Sequence, residues 1–252
     1  MHVPYLHVFL FYGLNLVANC AQTMLKATNS RFREHGEERR RSITSIFSII
    51  VAKTLLFVVA FPVVHAVVFG KEWSADLVVR SQLCGKILLV VYTFDLTYRR
   101  ANTILWIHHT LTFIATLGLL MSTVAVPEAP DIARLWCSVP LTLIGVGVGA
   151  TDIGGDVAVL LYYLFPQNLS TARAIRSCAW YLVLGRATAW SIVVTFFMRG
   201  DWRALELGWM HKVSVPVMLV GWISAEIEEI FAILGMSEKM RLKASKVVDV
   251  KY

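Results

Sequence analysis

Apolar residues fall in long blocks separated by short polar stretches, at approximately 3–25, 43–69, 77–98, 103–126, 131–165, 172–198 and 209–236. Each block is long enough for one α-helix to cross a hydrocarbon core about 30 Å thick, which takes roughly 20 residues. The pattern predicts an all-α polytopic membrane protein with about seven transmembrane helices. The fifth block is too long for one straight span. Its Gly145, Gly147, Gly149, Gly154 and Gly155 predict a tilted, bent or locally broken helix, with the freed backbone groups met by protein or water.

The polar stretches set the orientation. Lys26, Arg31, Arg33, Arg39, Arg40 and Arg41 follow the first block, Arg99 and Arg100 the third, and Arg173 and Arg176 the fifth; Lys239, Arg241, Lys243, Lys246 and Lys251 lie in the tail. Cytoplasmic loops carry such excess of Lys and Arg, so the expected topology has the N-terminus outside and the C-terminus cytoplasmic. The acidic turn PEAPD at 127–131 agrees with it, and the loop bearing Arg199 and Arg203 runs against it. Three units result: a first span with a basic cytoplasmic connection at 1–42, a six-helix membrane domain at 43–236, and a basic cytoplasmic tail at 237–252. No Lys or Arg precedes the first apolar block and no small-residue cleavage site follows it, so it is expected to be a span and not a removable signal peptide. The segment 26–42 mixes Arg and Glu without an apolar face, so it and the tail are expected to be solvated or to face lipid headgroups.

Composition strengthens this picture. Of 252 residues 57% are hydrophobic and only 16% charged, with a mean hydropathy of +0.62, outside the usual range of water-soluble domains. The net charge of +7 is read as topology and not as affinity for nucleic acid, because the basic residues cluster between apolar blocks. Cys20, Cys84, Cys137 and Cys178 form no CxxC pair, so neither a disulfide framework nor a zinc site is expected.

Ionisable residues inside spans are expensive and must face the bundle interior or a wet cavity. Besides histidines, these are Lys53, Lys86, Asp95, Asp152, Asp156, Arg186, Glu226, Glu228 and Glu229. Counted from the cytoplasmic ends by helical rise, His108 and His109 lie about 10 Å deep, Asp156 about 14 Å, Glu226 and Lys53 about 15 Å, and Asp152 and Arg186 about 20 Å. Asp152 and Asp156 are spaced i,i+4 on one helical face, so they can point together at an imidazole or a cation. Adjacent histidines diverge by about 100° on a helix, so they do not ligate one metal together. A neutral imidazole serves as general base or nucleophile when a carboxylate accepts its other N–H and fixes the tautomer. A His–Asp site is therefore one reading; the other is structural, with the rings and acids satisfying one another. For Lys53, Lys86 and the pairing of Arg186 with Glu226 or Glu229 the structural reading is the stronger. No HxxHH box is present, and no metal site is expected. His2, His7, His35, His65 and His211 lie near predicted ends or loops, and Trp73, Trp136, Trp202 and Trp209 suit interfacial belts.

The run VVYTFDLTYRRANTILWIHHTLTFIATLG resembles the centre of the TLC-domain family, the membrane fold of TRAM-type translocon proteins and ceramide synthases. It carries Tyr92 and Asp95 in a YxxDL context, a short basic connection, then His108, His109 and Thr112. Downstream, GATDIGGDVAVLLYYL resembles the family segment with an aspartate pair, here Asp152 and Asp156, and AWYLVLGRATAWSIV resembles its Arg-containing helix at Arg186. The resemblance spans 43–236. It implies a helix-lined cavity in an endoplasmic reticulum membrane, where His108 and His109 take part in acyl transfer from acyl-CoA with Asp152 and Asp156 assisting. Tyr92, Asp95, Lys53, Lys86, Arg186, Glu226 and Glu229 are expected to form the surrounding polar network. The synthases carry His where this chain has Thr151, and a Lys where it continues LLYYLF, departures that set it apart from ceramide synthesis itself.

Two function classes follow. One is a lipid acyltransferase that takes acyl-CoA as substrate, needs no cofactor, and attracts CoA phosphates to the basic cytoplasmic mouth. The other is a non-catalytic lipid-binding protein or a structural subunit of a membrane complex, whose partners are membrane lipids and other membrane subunits. A retinal protein lacks its mid-depth Lys in the last span, and a transporter its inverted repeat.

Overall fold

A computed structural model describes residues 5–69, 74–98, 106, 109–110, 112–114, 116–117, 152–198 and 209–249. Among these residues all regular structure is helical: α1 (Leu6–Thr28), α2 (Ser30–Glu34), α3 (Glu37–Phe69), α4 (Ala75–Tyr98), helical residues between 106 and 117 (α5), a helix at 152–164 (α6), α7 (Leu169–Met198) and α8 (Trp209–Asp249). Leu6–Thr28 and Glu37–Ala66 are long and apolar enough to cross a membrane. The acidic turn at 127–131, the glycines at 145, 147 and 149, Cys137, and Arg199 and Arg203 lie outside the described residues.

Helix ends depart from the apolar blocks for local reasons. α3 begins six residues before its block, because Glu37 and Glu38 occupy its first turn, where negative charge favours the helix dipole. α7 begins at Leu169 because Asn168 caps it, its Oδ1 accepting the Thr171 N–H at 2.8 Å. Inside α3, Pro62 removes one backbone donor from the helical ladder. The segment 26–42 is not merely solvated, as its mixed charges suggested. It folds into α2 and the start of α3, and Phe32 is completely buried with Leu25, Ile43, Ile46, Leu160 and Leu164. One aromatic among charges is enough to dock so short a helix. The tail is likewise helical, α8 continuing to Asp249 with Met240 buried in the core formed with α7.

Among the described residues three larger cores hold the helices together, with a small fourth cluster of Val63, Ala66 and Leu77 between α3 and α4. Leu14 and Ala18 of α1, Ile49, Ala52, Leu56 and Ala60 of α3, and Cys84, Ile87, Leu88 and Val91 of α4 form the first. Ala158 of α6, Ala172, Ile175, Ala179 and Leu182 of α7, and Ile233 of α8 form the second. The third, around Phe32, joins the α1–α3 end to the end of α6, so α6 belongs to both sides of the bundle. Alanines recur because small side chains let helix backbones approach closely. Polar side chains fasten the same contacts: Ser48 Oγ donates to Leu14 O at 2.8 Å, Ser237 Oγ to Ala172 O at 2.9 Å, and Asn29 Nδ2 to Leu164 O at 3.1 Å. The C-terminus of α1, the N-termini of α3 and α7 and the C-terminal part of α8 thereby share one end. That end carries the exposed Arg33, Arg39, Arg41, Arg173, Arg176, Lys239, Arg241 and Lys243.

Candidate functional site

About two turns into α3 from the basic end and within one turn of the end of α4, α3, α4 and α5 bring a histidine against a buried aspartate. His109 Nε2 lies 2.7 Å from Asp95 Oδ2, with side-chain exposures of 11% and 2%. A carboxylate accepts, so the ring nitrogen facing it is the donor. The second carboxylate oxygen, Oδ1, accepts the Ser45 hydroxyl at 3.0 Å. Asp95 is thus held from α3 by one oxygen while the other meets the ring. Tyr92, one turn before Asp95 on α4, packs its ring on His109 with centroids 4.8 Å apart, and it shares a hydrogen bond with Thr112, one turn after His109. The imidazole is oriented on two sides by residues of the same two helices.

A second cluster lies beside the first. Lys53 Nζ donates to Asp156 Oδ2 at 2.6 Å and lies 3.6 Å from Asp152 Oδ2. Arg186 Nη2 donates to Asp152 Oδ1 at 2.6 Å and to Glu229 Oε2 at 2.5 Å. Asp152 divides its two oxygens between the two cations. The result is an alternating chain, Asp156–Lys53–Asp152–Arg186–Glu229, that ties α3, α6, α7 and α8 together. Alternation is what low dielectric requires, since each charge has the opposite sign next to it. Tyr92 is within electrostatic reach of Asp152, Lys53 and Asp95, so the two clusters are neighbours in one polar centre.

Glycine makes the last contact. A Cβ at Gly155 would collide with Glu229 Oε1, and one at Gly154 would lie 2.6 Å from Tyr181 Cδ1. Both positions are buried on α6, and without side chains they let α7 and α8 approach closely enough for Glu229 to reach Arg186.

The expected site residues therefore divide. The aspartate facing His109 is Asp95 of α4; Asp152 and Asp156, whose i,i+4 spacing suited either an imidazole or a cation, point together at the cation Lys53. Arg186 pairs with Glu229, one of its two anticipated partners. Lys86 is exposed and joins neither cluster. His108 and the side chain of Glu226 lie outside the described residues. Sequence reasoning missed Ser45 and Gly155. Ser45 had a signal, for Thr44, Ser45 and Ser48 interrupt an apolar block with small hydroxyls and all are buried; Gly155 had none beyond its being a glycine. Among the described residues no group of three His, Cys, Asp or Glu side chains is arranged to hold a metal.

The chain matches no family model, no curated protein and no solved structure.

Proposed function

We propose that the chain is a multi-pass membrane protein of about seven spans, N-terminus outside and basic end cytoplasmic, that transfers acyl groups from acyl-CoA to a lipid acceptor at His109. The observation that carries this reading is the buried Ser45–Asp95–His109 arrangement. A carboxylate that accepts the Nε2–H leaves Nδ1 as the basic nitrogen and stabilises the imidazolium formed when that nitrogen takes a proton. In the reaction an acceptor amine or hydroxyl attacks the thioester carbonyl while His109 Nδ1 removes its proton. The tetrahedral adduct then expels CoA thiolate, which takes the proton back from the imidazolium. Asp95 stays ionised throughout. Exposed arginines and lysines at the basic end attract the CoA phosphates. The departures at Thr151 and LLYYLF favour an acceptor other than a sphingoid base.

A second reading draws on a specific observation: Asp152, Asp156, Lys53, Arg186 and Glu229 are engaged with one another, as in a purely structural network. In that case the chain holds a lipid without turning it over, as a binding protein or complex subunit. Purified protein in lipid nanodiscs, given labelled acyl-CoAs with amine and hydroxyl lipids, separates the two. The first reading expects product from wild type and none from His109→Ala that keeps its helix content and elution volume. A tightly held intact lipid with no turnover across the whole panel overturns it in favour of the second.

A further inference from the structure

Two ionisable side chains in the middle of the bundle take no part in the polar centre. Lys86 on α4 and Glu228 on α8 are both exposed, and neither has an ion-pair or hydrogen-bond partner among the described residues. Their levels can be read from contacts already given. Ser45 touches Asp95, and α3 and α4 run antiparallel. Nine residues onward from Ser45 is Thr54, and nine back from Asp95 is Lys86, so Lys86 lies level with Thr54 and hence with Lys53. Glu228 precedes Glu229, which reaches the same Lys53 through Arg186 and Asp152. The two stranded charges, opposite in sign, occupy one layer.

That layer is deep. Lys86 is about 16 Å by helical rise from Ala75 at one end of α4 and about 18 Å from Tyr98 at the other, too far for a four-carbon stem to bring its ammonium to either surface. Unpaired charge at this depth is costly in hydrocarbon, and lysines and glutamates there pair with one another or with a partner helix. Each lies on a face that its own bundle leaves open. On α4, Val79 and Lys86 are exposed and Gln82 half-buried, opposite the buried Cys84, Ile87, Leu88 and Val91. On α8, Ser224, Glu228 and Ala232 are exposed at i, i+4 and i+8, opposite Ile233 and Ser237. The small Ser224 and Ala232 on either side of Glu228 allow another helix to come close. Among the described residues Lys86 and Glu228 have no ion pair or hydrogen bond with each other, and the cores place α4 with α1 and α3 but α8 with α6 and α7.

We propose that copies of this chain associate in the membrane through an ion pair between Lys86 of one copy and Glu228 of the next. The inference rests on the reading above that α4 and α8 span the bilayer. A two-fold dimer with both helices at its axis uses the pair twice, and a ring uses it once per interface; either way the partner is a second copy, because this chain carries both complementary halves at one depth.

The test reads oligomeric state and needs no turnover. Full-length wild type in nanodiscs is expected as an oligomer by native mass spectrometry. K86E alone and E228K alone are expected as folded monomers, since each places like charges at the interface. Co-expression of the K86E chain with the E228K chain is expected to restore the oligomer as mixed species, a rescue that misfolded variants cannot give. Copies carrying Lys86→Cys and differently tagged copies carrying Glu228→Cys are expected to form an inter-chain disulfide. Monomeric wild type, single variants that assemble as wild type does, or a mixture that fails to assemble overturns the proposal. In separate labelling, rapid reaction of Lys86→Cys with a membrane-impermeant maleimide overturns the spanning reading of α4 together with this inference. A protected thiol on a monomeric protein overturns this inference alone.

Discussion

Replacing Arg186 by Met removes the cation between Asp152 and Glu229 while keeping most of its volume. Arg186 is 6% exposed and donates from one nitrogen to both carboxylates. Breaking a buried pair by deleting one partner costs about 3–5 kcal/mol, because the surviving charges lose their compensation. Asp152 and Glu229 are left differently. Asp152 keeps Lys53 at 3.6 Å, whereas Glu229, 39% exposed, loses its one ion-pair partner but is partly screened, which puts the loss near the low end, about 3 kcal/mol. For a chain of this size that is a fall in Tm of about 6–12 °C. The adding of Glu229→Gln should recover part of it, since the stranded carboxylate is then gone. Thermal unfolding in detergent micelles, followed by tryptophan fluorescence and checked by size exclusion, reads both. If R186M melts within about 2 °C of wild type, or R186M/E229Q melts lower than R186M, the alternating chain does not hold the helices as described.

Gly155→Ala should act through the same contact, because its Cβ meets Glu229 Oε1; the loss is expected to overlap with that of Glu229→Ala, so that the double variant is clearly less destabilised than the sum, as read by the same melts. Asn29→Ala removes both the acceptor for Phe32 N–H at 2.9 Å and the link to Leu164 O, and should cost about 1 kcal/mol in cap energy, seen as a Tm lower by about 2–4 °C. At the exposed end of α8, the hydrogen bond from Arg241 holds the Glu238 carboxyl below its ordinary value. A carboxyl lowered in the folded state stabilises at pH above the ordinary value and ceases to do so as pH falls through the folded one. E238Q should therefore melt slightly below wild type at neutral pH and equal it under acid conditions, and a difference that grows on acidification would contradict the sign.

Much of the helical framework was legible because the apolar blocks are long and the interruptions basic, and those two signals are set by hydrocarbon thickness and charge. The ends were less so: Asn168 and the Glu37–Glu38 pair shift helix starts by caps and dipoles, which leave a few residues' signal and not a block. Phe32 and Met240 dock polar segments through single side chains, a scale at which periodicity carries no information. At the site, depth counting brought Lys53, Asp152, Asp156 and Arg186 to neighbouring levels, and they do meet. Depth alone does not fix rotation about a helix axis. That is why Asp95, buried on the face of α4 that Ser45 and His109 share, was harder to single out as the imidazole's carboxylate than the i,i+4 pair Asp152 and Asp156. The spacing of that pair placed both on one face and suited a cation as well as an imidazole, and the face turns to Lys53.

The position of a bound acyl donor tests the role of His109 most directly. An experimental structure of the chain in lipid with a non-hydrolysable acyl-CoA analogue should place the carbonyl carbon beside His109, with Asp95 still bonded to the ring and the phosphates among the arginines and lysines of the basic end. An analogue bound elsewhere, or His109 and Asp95 packed away from it against lipid tails, would contradict the account.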